Sequence, residues 1–288
     1  MKYAAFSGAF IDYSIQQTMV MTKELGFDGI EIACREPHLS SSTSLPRVEE
    51  MKDLADHLGL EIPVLAGYTG HFSTASDQEC AKALQEFRQL LKWAEILGAD
   101  MVRVFPGGPN GFLAEDYHYE KAAFWLNQCV KEAKAFSINV IMEIHNISLI
   151  ETVEQSKKLI NTIGHHENIG LIHDAGNMYI TDTDYGRDSI LNLGEHLFHF
   201  HVKDVKRVGE SSSAPGSFTN KTKHGDEQFM LCLLGEGAIE HQPLFDTLCE
   251  IEYNGWITLE CAAPYPPKDR IEADLKKVQE MVKRNSFS

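Results

Sequence analysis

The sequence lacks paired cysteines. Its six, Cys34, Cys80, Cys129, Cys232, Cys249 and Cys261, form no CxxC and are scattered through apolar stretches. That argues against a thiolate zinc site and a disulfide scaffold, and fits free thiols buried in a reducing compartment. Long apolar runs are also missing: none approaches the ~18 residues of a membrane-spanning helix. The opening segment MKYAAFSGAFIDYS carries one lysine and no apolar signal core, so a cytoplasmic protein with no membrane partner is expected. Basic residues are scarce, with 26 Lys and Arg against 42 Asp and Glu and a net charge of −16. Such a balance opposes broad binding to a phosphate backbone, so no nucleic-acid partner is expected, although a small anion held by one or two local cations stays open. No GxGxxG or Walker-type loop follows the first strand-like run, which weighs against a nucleotide-binding doubly wound sheet.

What is present is a rhythm. A helix-like segment ends in Leu-Gly and a short apolar run follows, at Leu25-Gly26 before GIEIAC, Leu58-Gly59 before IPVLAG and Leu97-Gly98 before MVRVFP. Glycine after the last turn supplies left-handed cap geometry. The apolar runs are continuous rather than alternating, as parallel strands buried on both faces require. Ser76 and Glu79 form a capping box that opens a helix to Gly98, with Ala83, Leu84, Phe87, Leu90, Leu91, Ala94 and Leu97 as its packing stripe. Adding YAAFSG (3–8), INVIMEIH (138–145), NIGLIHDAG (168–176), LFHFHVKDV (197–205) and GWITLEC (255–261) makes eight strand candidates, each followed by a helix candidate. The pattern predicts an α/β fold, a single-domain (β/α)8 barrel over residues 1–288, with an open doubly wound sheet as the alternative. Pro106 to Gly111 reads as a turn after the fourth strand. Residues 206–230 show no clear periodicity and are expected to form an inserted loop over the active-site face.

Polar side chains at the ends of buried strands are costly unless they have partners or work. Glu143, Asp174, His201 and Glu260 each follow a mostly apolar run, and each closes a different strand among the last four. In a closed barrel they would converge. Three carboxylates and one imidazole suit one divalent ion such as Mn²⁺, Zn²⁺, Co²⁺ or Mg²⁺. His173 has the opposite strand parity and should face away, whereas His199 would lie deeper in the barrel as a core histidine. Lys203 shares the parity of His201. It either reaches an anionic substrate group or pairs with a strand-end acid.

The segments GFDGIEI, MEIHN, IHDAGN, HFHVKD, LGEGAIE and GWITLE, spread over about residues 25–262, resemble the xylose isomerase-like TIM-barrel superfamily. That group includes hydroxypyruvate isomerase, ketose 3-epimerases, inosose dehydratase and, more distantly, endonuclease IV. The resemblance implies metal ligation by Glu143, Asp174, His201 and Glu260, with Glu143 and Glu260 as the catalytic pair that exchanges protons with substrate. It also implies substrate or supporting contacts at His145, Lys203 and Asp204, a substrate-facing acid at Glu31, and weaker candidates at His71 and Arg103. Asn177 stands where many ketose epimerases and the nuclease have a histidine, and is counted here with the substrate-binding residues. His145 would either polarise a substrate carbonyl or support Glu143. A homodimer is a further implication.

The expected function is therefore a divalent-metal-dependent isomerase or epimerase of a small sugar or polyhydroxy ketone in carbohydrate metabolism. Proton removal beside a carbonyl needs a carboxylate base, and a divalent ion on the carbonyl and neighbouring hydroxyl oxygens would stabilise the enediolate. Two carboxylates on opposite faces allow removal on one side and return on the other. The alternatives are an inosose dehydratase-type lyase at the same site, an endonuclease IV-like phosphodiesterase and a non-catalytic sugar-binding barrel. Whether the substrate is phosphorylated stays open, with Arg103, Lys203 and Lys206 as the cations at hand.

Overall fold

The computed structural model describes residues 1–209 and 213–285. Eight parallel strands close into a barrel: β1 (Lys2–Phe6), β2 (Gly29–Ala33), β3 (Val64–Ala66), β4 (Met101–Arg103), β5 (Asn139–Glu143), β6 (Ile169–Asp174), β7 (Leu197–Val202) and, later in the chain, β11 (Trp256–Leu259), which seals the ring between β7 and β1. The helices α1 (Ile15–Glu24), α2 (Leu45–Leu58), α3 (Asp77–Leu97), α4 (Asp116–Lys134) and α5 (Val153–Ile163) each follow one strand. The short α6 (Ala175–Ile180) and α7 (Arg187–Leu193) share the sixth unit, and α8 (His241–Glu250) and α9 (Pro267–Asn285) complete the set.

The local rules read from the sequence operate in the chain. Gly59 and Gly98 cap α2 and α3 in the left-handed region, at φ 61° and 75°. Ser76 and Glu79 close a reciprocal capping box on α3. All six cysteines are free thiols. Among the described residues no helix is long and apolar enough to cross a membrane.

Two apolar layers position the site. Outside the barrel, strand residues such as Ile32, Val102, Val140 and Leu171 pack against helix residues such as Phe87, Leu91 and Leu126. Inside, Val64, Met101, Ile141 and Ile172 fill the lower barrel with Phe198 and Trp256 against them. Side chains on a strand return to the same face every second residue. Two residues beyond Met101, Ile141 and Ile172 stand Arg103, Glu143 and Asp174, so the polar layer rests on an apolar plug.

Several boundaries differ from the expectation. β1 stops at Phe6, and Ser7–Phe10 coils into a 3₁₀ turn. The run LFHFHVKDV breaks at Lys203. Its second half, β8 (Asp204–Val208), leaves the barrel for a three-stranded antiparallel sheet with β9 (Ser217–Thr222) and β10 (Gly225–Cys232), in the order β8-β10-β9. Most of segment 206–230 is thus strand rather than loop, while Glu210, Ser211 and Ser212 lie outside the described residues. Phe229 is fully buried beneath this sheet, and Tyr179 meets it edge-on. Asn146 Nδ2 donates to Asn220 Oδ1 at 2.9 Å, and Asn110 Nδ2 donates to the Lys221 carbonyl at 3.3 Å. The added sheet is therefore bonded to the loops that follow β4 and β5.

Candidate active site

Glu143 ends β5, Asp174 ends β6, His201 is the penultimate residue of β7, and Glu260 follows β11 directly. One ligand-type atom from each lies within 4.8 Å of all the others. His201 determines how such a group can be satisfied. Its Nε2 lies 3.1–3.2 Å from the two Glu31 oxygens. Its Nδ1 makes no hydrogen bond and faces Glu143 Oε1 at 3.4 Å and Asp174 Oδ2 and Glu260 Oε2 at 3.9 Å. Asp174 Oδ2 is likewise buried without a hydrogen bond. A nitrogen lone pair among three carboxylates is stable only with positive charge between them. Burial alone would suppress charge on His201, but Glu31 and Glu143 outweigh it and hold the imidazole pKa well above its usual range. A divalent cation would meet the same demand that this proton meets, so the donor set fits one.

Two cations brace the acids. Arg103 Nη1 lies 2.6 Å from Glu143 Oε2, a pair almost wholly buried. Burial pushes the Glu143 carboxyl up, yet Arg103 and then His201 overcome this and hold it well below the usual carboxylate range. Lys203 Nζ lies 2.8 Å from Glu260 Oε2 and 2.9 Å from Asp174 Oδ2, out of hydrogen-bond alignment with the latter. Burial still pushes Asp174 up to about 6, against the pull of Lys203.

A cavity of about 290 Å³ opens above this layer, lined by Phe6, Arg35, Tyr68, His145, Lys203 and Glu260 among others. A second space of about 240 Å³ adjoins it, sharing Tyr68, Arg103, Glu143 and His145 and adding Gly67, His71 and Phe105. His71 is exposed and edge-on to Phe105. His145 Nδ1 bonds the Asn146 carbonyl. It makes no hydrogen bond to Glu143 among the described residues, so the supporting role expected as one option for it is not seen.

Other candidates lie apart from the cavity. Glu31, expected to face substrate, is fully buried and lines neither space. Its oxygens meet His199 Nε2 at 2.9 Å and His201, and these three residues form a second group with ligand-type atoms within 4.8 Å. The separations are those of hydrogen bonds, and Thr258 Oγ1 shares His199 Nε2 at 2.9 Å. Burial favours the neutral acid at Glu31, but His201 and His199 hold its pKa well below the usual range. Asn177 bonds Glu143 Oε1 at 2.8 Å and the Ile144 carbonyl at 3.2 Å, so it positions an acid instead of lining the cavity. Asp204 accepts from the amides of Val205, Gly235, Gly237 and Ile239 at 2.8–3.2 Å, and clasps the loop after β10. Lys206 Nζ bonds the Glu236 carbonyl, outside the cavity. His173 turns outward, bonding Ser189 Oγ at 2.8 Å and stacking on Phe200. Arg35, Tyr68, Phe6 and Phe105 line the site without having been marked in the sequence. The signal that could have found Arg35 and Tyr68 is position, since each follows shortly after a barrel strand at the end where sites form.

An inosose dehydratase from Lactiplantibacillus plantarum is 28% identical over 172 residues, spanning 57% of this chain and 53% of the relative, about half its length. An inosose dehydratase from Yersinia enterocolitica is 23% identical over 265 residues, covering 86% of this chain and 82% of the relative. Among solved structures, the IolI protein with a zinc atom superposes with a TM-score of 0.79 at 16% identity, over 99% of both chains. An L-ribulose 3-epimerase superposes with a TM-score of 0.78 at 19% identity, over 99% of this chain and 96% of the other. At such identities the structural likeness concerns the fold. Residues 21–281 match the family model described as xylose isomerase-like TIM barrel, and the chain belongs to that family.

Proposed function

We propose that this enzyme moves a proton on the carbon beside the carbonyl of a small polyhydroxy ketone, with one divalent ion held by Glu143, Asp174, His201 and Glu260. The observation that carries the reading is the convergence of those four residues beneath the cavity, with His201 Nδ1 buried and unbonded and Asp174 Oδ2 ion-paired with Lys203 but without a hydrogen bond. When bound, an ion such as Mn²⁺, Zn²⁺, Co²⁺ or Mg²⁺ supplies Lewis acidity toward the ketone oxygen and its neighbouring hydroxyl. The zinc named for the IolI neighbour and the epimerase fold of another support this choice.

The chain's own residues do the rest. Glu260 is the more accessible of the two glutamates, with 18% of its side chain exposed against 5% for Glu143. Its carboxylate takes the proton from the substrate carbon, and Lys203 Nζ orients it. Glu143 stays ionised beside Arg103 and is held in place by Asn177, ready to manage the proton on the opposite face. His145, fixed through Nδ1, keeps Nε2 for a substrate hydroxyl. Phe6 and Phe105 help to exclude water. Return of the proton on the other face completes an epimerisation. Loss of the next hydroxyl as water completes a dehydration, a second reading favoured by the inosose dehydratases among the sequence relatives. The test is hydrogen–deuterium exchange in D₂O, followed by NMR, for a panel of ketoses and inososes with Mn²⁺- or Zn²⁺-loaded protein. Exchange beside the carbonyl, lost on chelation, is the expected result. Absence of exchange across the panel would overturn the reading.

A further inference from the structure

Three cations line the main cavity, Arg35, Arg103 and Lys203. Arg103 and Lys203 each face carboxylates at 2.6–2.9 Å. Arg35 has no ion pair and no side-chain hydrogen bond among the described residues. Its guanidinium lies over the Tyr68 ring, 5.2 Å from the centroid, and the Arg103 guanidinium lies over the same ring at 5.1 Å. In a chain with a net charge of −16, an arginine with no acid partner among the described residues, at the mouth of a cavity, is available for an anion from outside.

The backbone beneath Arg35 is pinned. Cys34 N donates to the Ala66 carbonyl at 3.0 Å, Arg35 N to the Ala33 carbonyl at 2.8 Å, and His38 N to the Arg35 carbonyl at 3.0 Å. The His38 ring is fully buried between Ser7 Oγ at 2.9 Å and the Tyr13 carbonyl at 3.1 Å. Ser7 Oγ also accepts from Ala33 N at 2.8 Å. A backbone held this way fixes the point from which the exposed Arg35 side chain reaches over Tyr68, which lowers the entropic cost of binding. The Tyr68 hydroxyl bonds no protein group among the described residues.

We propose that Arg35 and Tyr68 form a carboxylate subsite, so that the substrate is a polyhydroxy keto acid instead of a neutral sugar. The proposal deepens the proton-transfer reading and rests on it for the position of the ketone. In the strand order, β2 and β3 stand across the barrel from β6 and β7, which carry Asp174 and His201. A substrate lying across the axis would put its ketone over the acids and its far terminus at Arg35. One planar guanidinium fork matches one carboxylate. A phosphate monoester carries about −1.5 to −2 at neutral pH, and no second unpaired cation lines this cavity among the described residues.

The test uses Mn²⁺-loaded protein and matched probes, D-fructuronate with D-fructose and D-tagaturonate with D-tagatose. Each pair differs only in a carboxylate replacing the terminal hydroxymethyl group. D-Fructose 6-phosphate is the phosphate control. Affinity is measured by calorimetry, and exchange beside the ketone is followed by NMR in D₂O. The acids should bind about 10- to 100-fold more tightly than their partners, as one charge-assisted, bidentate contact predicts. Arg35→Met should abolish that preference, and Arg35→Lys should retain part of it. No preference for the acids, or a preference that survives in Arg35→Met, would overturn the subsite. A stronger, Arg35-dependent preference for the phosphate would overturn its assignment to a carboxylate. Acid preference without exchange from any probe would leave the subsite standing and defeat the proton-transfer reading. Exchange from neutral ketoses with no acid preference would do the reverse.

Discussion

Glu31 shows how one buried carboxylate can govern a site it does not line. By accepting from His201 Nε2 it leaves Nδ1 turned toward the three acids. Glu31→Gln should therefore weaken metal affinity by about 10- to 100-fold, read by calorimetric titration with circular dichroism as the control for folding. Unchanged affinity would show that packing alone orients His201. Glu260→Gln should slow exchange beside the carbonyl by about 10²- to 10⁴-fold; a near-normal rate would remove this carboxylate from proton transfer. Asp174→Ala should lower the metal bound per chain in elemental analysis, and unchanged stoichiometry would remove it from the ligand set. The four strand-end residues were legible because a charge that follows a buried apolar run needs a partner. Glu31 was expected to face substrate on the family resemblance alone, and its full burial was not legible, because a place at a strand end says nothing about which layer of the barrel a side chain joins. Arg35 and Tyr68 stand in loops, where polar residues are ordinary, so only their position just after a barrel strand could have marked them.

At the level of elements, helices and barrel strands announced themselves through caps and continuous apolar runs. The added sheet did not. In β9 the inward positions Asn220 and Thr222 are as polar as the outward Thr219 and Lys221, and in β10 the apolar residues crowd together as Phe229, Met230 and Leu231, so no two-residue alternation shows. Nor could the break at Lys203 be foreseen, since Asp204 belongs to the same apparent run and its four amide partners lie one to 35 residues further on. Asp204→Ala would leave several buried amides without an acceptor. A loss of about 2–4 kcal/mol in urea unfolding is expected, with Asp204→Asn recovering part of it. Equal stability of Asp204→Ala and the unaltered protein would mean that water replaces the clasp.

Across the whole molecule, α9 is tied to the rest by Asp274, whose Oδ1 accepts from Leu234 N at 2.9 Å while Oδ2 is buried unbonded. Burial pushes this carboxyl from its ordinary 3.8 up to about 6. The fold thus prefers the protonated acid. The stabilisation is complete below about pH 4 and is lost as pH rises through about 6, at a cost of at most about 3 kcal/mol. Asp274→Asn should therefore be more stable than the unaltered protein at pH 8, with the advantage shrinking at pH 4 in paired urea titrations. A difference independent of pH would show that Asp274 does not titrate in this range. The barrel as a whole also divides its labour. Glu143, Asp174, His201 and Glu260 rise from β5, β6, β7 and β11, whereas Arg35 and Tyr68 follow β2 and β3. Under the proposed reading, a new substrate preference can arise by changing loops that carry none of the groups assigned to proton transfer. Natural drift or a laboratory library confined to residues 35–43 and 68–75 can explore chemical diversity while the four strand-end residues are inherited intact.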